Sequence, residues 1–291
     1  PRVQGERVQY QGKFSELLHS LKITPYKHQA ESLVFTEMNQ NVVVATPTAS
    51  GKSLTYQIPT LHALQNGKTA LYLFPTKALS HDQLEKLQKL AHPFELSDKI
   101  ASYDGDTKTD KRNAIRNQAL CLLTNPDMLH YGILPYHEKW AKFLGNLHYI
   151  IIDEMHSYRG VMGTHVANIL RRFLRMAKHY GANPVIIAAS ATIANPAEHA
   201  KNLTGEEFVA ITEDAGPRAA REIIFWQPPL ISEKGDGRRR SSNSEGAYLA
   251  AHFARVGLKS IFFCNSRKSA ELLRRYATNN LEDSEKHLIQ S

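Results

Sequence analysis

Only two cysteines occur in 291 residues, Cys121 and Cys264, each inside an apolar run. They form no metal-ligand spacing and no disulfide framework, so both read as buried, reduced thiols. Apolar runs long enough to cross a membrane, which takes about 20 residues, are missing. The opening "PRVQGERVQY" does not read as a secretory leader. Internal repeats are missing too. Tryptophan is scarce, and Trp140 and Trp226 read as packing residues. Acidic residues are the minority, 28 against 36 Lys and Arg, for a net charge of +8. That excess fits a polyanionic partner and fits a merely basic surface equally well. These absences predict a cytoplasmic globular protein, 42% hydrophobic and 22% charged, of one large or two smaller domains.

What is present is a series of short apolar runs: 41–46, 69–75, 99–103, 119–124, 147–153, 184–190 and 208–212. Several are rich in Val and Ile and do not alternate with polar residues. Strands buried on both faces have that texture, and it predicts a parallel sheet covered by helices. Between the runs lie helical patterns such as "HDQLEKLQKLA" (81–91), with Leu84, Leu87 and Leu90 on one face. The alternation predicts a doubly wound α/β domain. After Thr212 the texture changes. A linker-like "EDAGPRA" is followed by "REIIFWQPP" (221–229) and a polar, basic stretch (232–246). A helical "AYLAAHFARVG", a strand-like "SIFFC" (260–264) and a helical "SRKSAELLRRYATNN" follow. About 70 residues supply too few strands for a full sheet, so this reads as the start of a second α/β domain.

The most informative stretch is "VVVATPTASGKSLTYQIP" (42–59). A strand, a loop of small residues ending Gly51-Lys52-Ser53, and a helix-compatible segment make a phosphate cradle. Backbone N–H groups must point inward around phosphate oxygens, so Thr48, Ala49, Ser50 and Gly51 must be small. Lys52 can reach terminal phosphates, and the Ser53 hydroxyl can ligate Mg²⁺. The strict pattern fails at Thr46, where glycine is usual, and Ala49 also stands where glycine is common. A second element is "YIIIDEMH", which sets Asp153 and Glu154 at the end of an apolar strand. One acid there can hold Mg²⁺ and its neighbour can deprotonate a water. The C-terminal end of a strand is also where open α/β sheets bind ligands.

With these residues in order, the sequence resembles superfamily 2 helicases of the DExH type. It further resembles the MrfA/YprA-like and Lhr-type DNA helicases through "DEMHSYRGVMGTHVANILRRFLR" and "SATIANPAEHA". The resemblance implies a RecA-like P-loop domain over 21–217, after an N-terminal extension (1–20) and before part of a second RecA-like domain (218–291). It implies that Tyr26 and Gln29 in "PYKHQAE" contact adenine and that "TPTASGKS" is motif I, binding ATP with Mg²⁺. "FPTKALSHDQ" and "TNPDML" resemble motifs Ia and Ib, so Pro75, Thr76, Lys77, Thr124 and Asn125 would grip a strand's phosphates. Gly105 in "YDGDT" and Arg159 after motif II would face the same strand. Asp153, Glu154 and His156 belong to motif II, and Ser190 and Thr192 to motif III, which couples the two sites. "FFCNSRKSAE" resembles motif IV.

The implied activity is ATP-driven movement on single-stranded or partly duplex nucleic acid, DNA favoured over RNA. The implied motifs V and VI are not among these residues, so the chain is expected to be a piece of a longer helicase and a poor ATPase alone. An RNA helicase or remodeller and a non-catalytic ATP- or nucleic-acid-binding adaptor stay open as alternatives. The serial motifs argue against a small-molecule kinase. Arg171, Arg172 and Arg175 read as a solvated helix face, and Arg238–Arg240 as part of a basic connector.

Overall fold

The computed structural model describes residues 4–231 and 237–290. Residues 232–236 of the polar stretch and the first three residues of the N-terminal extension lie outside them. The chain divides into two compact units, Pro1–Ala220 and Arg221–Ser291.

The first unit is built on seven strands, β1 (Val42–Ala45), β2 (Thr69–Leu73), β3 (Ile100–Ser102), β4 (Cys121–Thr124), β5 (Leu147–Ile152), β6 (Val185–Ser190) and β7 (Val209–Ile211). Each falls within one of the seven apolar runs. All pair in parallel, in the order β3-β4-β2-β5-β6-β1-β7. Strands β1, β2, β4 and β6 are wholly buried, and β5 is buried but for His148, because helices cover both faces, which is why their sequences do not alternate.

Alternate residues of each strand nonetheless enter two different cores. Leu71, Leu73, Ile150, Ile152, Ile186 and Ala188 pack toward the helix Gly160–His179 and the helix Pro196–Thr204. Ala70, Tyr72, Tyr149, Ile151 and Ile187 pack toward the helices Ser15–Ser20, Ser53–Gln65 and Lys77–Ala91. The helix Gly160–His179 buries Val166, Ala167, Leu170, Phe173, Leu174 and Ala177 at helical spacing and leaves Arg171, Arg172 and Arg175 exposed.

The order of strands places β6 between β5 and β1. Register fixes the consequence: Ser190 lies beside Ala45, and Ile152 beside Ala188. The chain leaves these three strands on the same edge of the sheet, so Thr46, Ala191 and Asp153 are neighbours there. The loops after β2, β3 and β4 share the other half of that edge.

In the second unit the helices Ser242–Arg255 and Arg267–Asn279 pack through Ala247, Ala250, Ala277 and Leu273. Both helices start on a serine that accepts a backbone N–H, Ser241 from Ser244 and Ser266 from Ser269. Residues 260–264, expected as a strand, are irregular, with Ile261 and Phe263 exposed. A strand exists through a neighbour's ladder, and none lies beside this segment among the described residues of the unit. For the same reason Cys264 is only half-buried, while Cys121 is fully buried. Trp140 is core, as expected, but Trp226 is largely exposed and is held by its indole N–H donating to Glu245.

Candidate nucleotide and nucleic-acid site

The loop between β1 and the helix Ser53–Gln65 winds through two left-handed residues, Ala49 (φ 64°) and Gly51 (φ 84°). Gly51 has a second constraint, since a Cβ there would stand 2.6 Å from Gln29 Nε2. The loop is closed by its own side chains. Lys52 Nζ donates to the carbonyls of Thr46 (2.7 Å) and Pro47 (2.8 Å), and the hydroxyls of Thr46 and Ser50 are 2.7 Å apart. Burial draws the Lys52 ammonium below its ordinary pKa, against the opposing charges of Glu154, Asp153 and Asp214.

Gln29 bridges two parts of this site. Its Oε1 accepts from Tyr26 N–H at 2.8 Å and its Nε2 donates to Gly51 O at 2.8 Å. Tyr26 is half-buried, and the Arg7 guanidinium lies 4.7 Å over its ring. Arg7 also donates to Thr24 O at 2.6 Å. Sequence reasoning missed Arg7, because nothing local ties it to Tyr26. The same is true of Asp214, whose nearly buried carboxylate lies 4.0 Å from His28 and accepts from Gly216 N–H.

The acid pair stands across β6 from the loop. Asp153 is buried; its Oδ2 accepts from Tyr56 O–H at 3.0 Å and its Oδ1 from Glu154 N–H at 2.9 Å. Burial pushes its carboxyl above the ordinary value, while those two donors hold part of the rise back. Ser53 begins the helix that carries Tyr56, so Ser53, Tyr56 and Asp153 belong to one corner of the site. Hard oxygen donors and one carboxylate suit Mg²⁺, which keeps waters and relies on substrate phosphates. Among the described residues no group of three or more His, Cys, Asp or Glu side chains could hold a metal without such help.

Glu154 is half-buried and left-handed (φ 49°), a conformation uncommon for a residue with a side chain. Its Oε2 lies 3.4 Å from His156 Nδ1, and the same Nδ1 accepts from Ala191 N–H at 3.2 Å. With Nδ1 accepting from Ala191 N–H, the Glu154 carboxylate is a close neighbour of that ring and not its hydrogen-bond partner. Ser190 is fully buried with an unpartnered Oγ. Thr192 is exposed and, with Arg159, lines a cleft of about 700 Å³ between the helices Gly160–His179 and Pro196–Thr204.

The remaining sequence-derived residues gather after β2, β3 and β4. Thr76 caps the helix Lys77–Ala91 by accepting from Leu79 N–H, and Asn125 likewise accepts from Met128 N–H at 2.8 Å. Pro75 is half-buried, and Thr76, Lys77 and Gly105 are exposed. Thr124 is different: it is buried and its hydroxyl donates to Tyr103 O at 2.7 Å, which ties β4 to β3. The turn bearing Gly105 is organised by Asp104, whose carboxylate accepts from Ser102, Asp106 N–H and His81. Burial opposes its charge, yet these donors together hold the Asp104 carboxyl below the ordinary range.

A closed loop of small residues around Lys52, an acid pair one strand away and a histidine beside them form one constellation. The family model for DEAD/DEAH box helicases matches residues 26–200. The chain belongs to that family. It is 41% identical over 250 residues to the uncharacterized ATP-dependent helicase YprA of Bacillus subtilis, covering 85% of this chain and 33% of that one. The crystal structure of the DUF1998 helicase MrfA bound to DNA matches with a TM-score of 0.87 and 36% identity, over 96% of this chain and 38% of that one. MrfA bound to DNA and AMPPNP matches with a TM-score of 0.86 at the same identity, over 96% of this chain and 40% of that one. The fold is thus the RecA-like α/β fold of DEAD/DEAH helicases, and the chain spans about two fifths or less of these relatives.

Proposed function

We propose that this chain carries the ATP-binding half of an ATP-dependent DNA helicase, with residues 21–217 as its first RecA-like domain and 218–291 as part of the second. The observation that carries the reading is the Lys52 loop set one strand from Asp153 and Glu154, with His156 lying beside Glu154 and accepting from Ala191 N–H. In this reading Tyr26 and Gln29 hold adenine, and the loop Thr48–Ser53 cradles phosphates with Lys52 on the terminal ones. Ser53 and Asp153 would hold Mg²⁺, which supplies charge neutralisation at the phosphates when bound. Glu154 takes the proton of the attacking water, and its exposure beside His156 leaves it free to do so. Ser190 and Thr192 relay the state of the nucleotide. Thr76, Lys77, Gly105, Asn125 and Arg159 offer the cations, hydroxyls and backbone N–H groups that phosphate contacts use, and Pro75, which has no N–H to give, stands next to them in the chain. Thr124 acts at one remove, by fixing the loop that bears Asn125.

DNA is favoured because MrfA, similar to this chain over nearly all of its length, was crystallised bound to DNA. The two free cysteines support a reducing, cytoplasmic setting. Among the described residues no helix is long and apolar enough to cross a membrane. The test is calorimetric binding of Mg·ATP to this chain and to Lys52→Ala. Binding that the variant loses supports the reading. No wild-type binding would favour a non-catalytic adaptor. In a longer enzyme containing the second domain, Glu154→Gln should keep ATP binding and abolish turnover, and normal turnover would remove Glu154 as the base. Stimulation by RNA in preference to DNA would reassign the substrate.

A further inference from the structure

The edge formed after β2 and β3 contains a contact that the proposed function does not use. Lys77 Nζ, at the start of the helix Lys77–Ala91, donates to Asp106 Oδ2 at 2.8 Å. The partners are 29 residues apart in sequence, so the pair is not a by-product of helical spacing. The turn holding Asp106 is fixed independently of Lys77. Asp106 N–H donates to Asp104 Oδ1 at 2.9 Å, Thr107 Oγ1 accepts from Asp104 N–H at 2.9 Å, and His81, from the same helix as Lys77, meets Asp104 at 3.1 Å. Gly105 lies against Lys77, for a Cβ there would stand 3.4 Å from Lys77 Nζ, an ordinary contact distance. The carboxylate is thus presented to the ammonium by a built turn, although both partners are well exposed.

We infer that Asp106 is an internal competitor for nucleic-acid phosphate, occupying the Lys77 subsite in the free protein and yielding it when a strand binds. This role rests on the reading of this edge as the nucleic-acid face. The chemistry follows from the exposure. An exposed ion pair is weak, so it opens at little cost, and a phosphate oxygen offers the same charge and hydrogen-bond geometry as the carboxylate. A strand that binds must exchange one anion for another at Lys77. Isolated anions and short, loosely held strands gain little from that exchange. A strand that engages several contacts at once gains the rest of its binding energy elsewhere. Asp106 therefore raises the threshold for non-specific anions on a basic protein.

The experiment is a double-mutant cycle on this 291-residue chain, with fluorescence anisotropy of a labelled oligo-dT at several salt concentrations. The variants are Lys77→Ala, Asp106→Asn and the pair, with thermal melts confirming that each folds. Asp106→Asn should tighten binding about twofold to fivefold, the range of an exposed ion pair. Lys77→Ala should weaken binding and lower the salt slope by about 0.7. In the Lys77→Ala background, Asp106→Asn should change little. An equal gain in both backgrounds would make Asp106 a source of diffuse repulsion and overturn the competitor role. No gain in either background would overturn it too. If Lys77→Ala leaves affinity and salt slope unchanged, or the wild type binds no oligonucleotide, the nucleic-acid reading of this edge falls, and the competitor role with it.

Discussion

Tyr56 donates its phenolic hydrogen to Asp153 across 97 positions of sequence, at 3.0 Å and out of contact with solvent. The bond joins the helix that follows the phosphate loop to the strand end that carries the acid pair. Tyr56→Phe should therefore act on both elements. The expected loss of stability is about 1–2 kcal/mol, because a buried carboxylate oxygen loses a donor. The Asp153 carboxyl, already raised by burial, should rise further. The pH at which Mg·ATP binding is half-lost should shift upward, which calorimetry across the acidic range reads directly.

Asp153 itself costs the ligand-free fold something. A carboxyl whose folded pKa is raised favours the protonated form, so its penalty is absent below the ordinary carboxylate range. That penalty is present in full above the raised value. Asp153→Asn keeps an oxygen for Glu154 N–H and removes the buried charge. The ligand-free variant should melt higher than wild type at about pH 7 and nearly level with it at about pH 4. Mg-dependent nucleotide binding should be lost in the same variant.

Asp104 should show the opposite slope. Its folded pKa is depressed, so its contribution is complete above the ordinary carboxylate range and lost as pH falls through the folded value. Asp104→Ala leaves Ser102, His81 and Asp106 N–H without their acceptor. A destabilisation of about 1–3 kcal/mol is expected at neutral pH, shrinking as the solution is acidified past the carboxylate range. Urea unfolding at a neutral and an acidic pH measures it.

The two left-handed loop residues make a paired prediction. Ala49→Gly relieves an Ala at φ 64°, a conformation that costs a side chain about 1 kcal/mol. It should be neutral to slightly stabilising, with Mg·ATP binding retained. Gly51→Ala adds the same kind of strain and also drives a methyl to 2.6 Å from Gln29 Nε2. It should weaken Mg·ATP binding by an order of magnitude or more. The combination with Gln29→Ala should recover the part of the stability lost to the clash, leave the backbone strain, and not restore adenine selectivity, as competition by GTP would show.

How much of this was legible in the residues depends on how local each feature is. The seven strands were, because burial on both faces removes alternation and leaves unbroken runs such as "VVVA" and "YIIID". Lys52, Asp153 and Glu154 were, because a strand followed by small residues and Gly-Lys-Ser is a local pattern. The order of the strands was not, and with it went the position of Ser190 between the loop and the acids. Tyr56 reads as an ordinary core aromatic until β5 is set beside its helix. Arg7 over Tyr26, and Asp106 against Lys77, are likewise made by topology. The "SIFFC" segment failed as a strand for a related reason: apolar, β-prone residues specify a strand only where a neighbour completes the ladder.

In the proposed function, the closed Lys52 loop would also act as a gate on its own ligand. Lys52 begins with two carbonyl partners, Thr46 and Pro47, and a newcomer must offer it more than it gives up. A nucleotide whose phosphates stop short of Lys52 leaves both bonds in place and gains only the outer contacts. One whose last phosphate reaches the ammonium exchanges two neutral acceptors for a charged one. On that reading the loop would distinguish a long phosphate chain from a short one before any second domain closes over it, with the resting lysine bonds as the ruler.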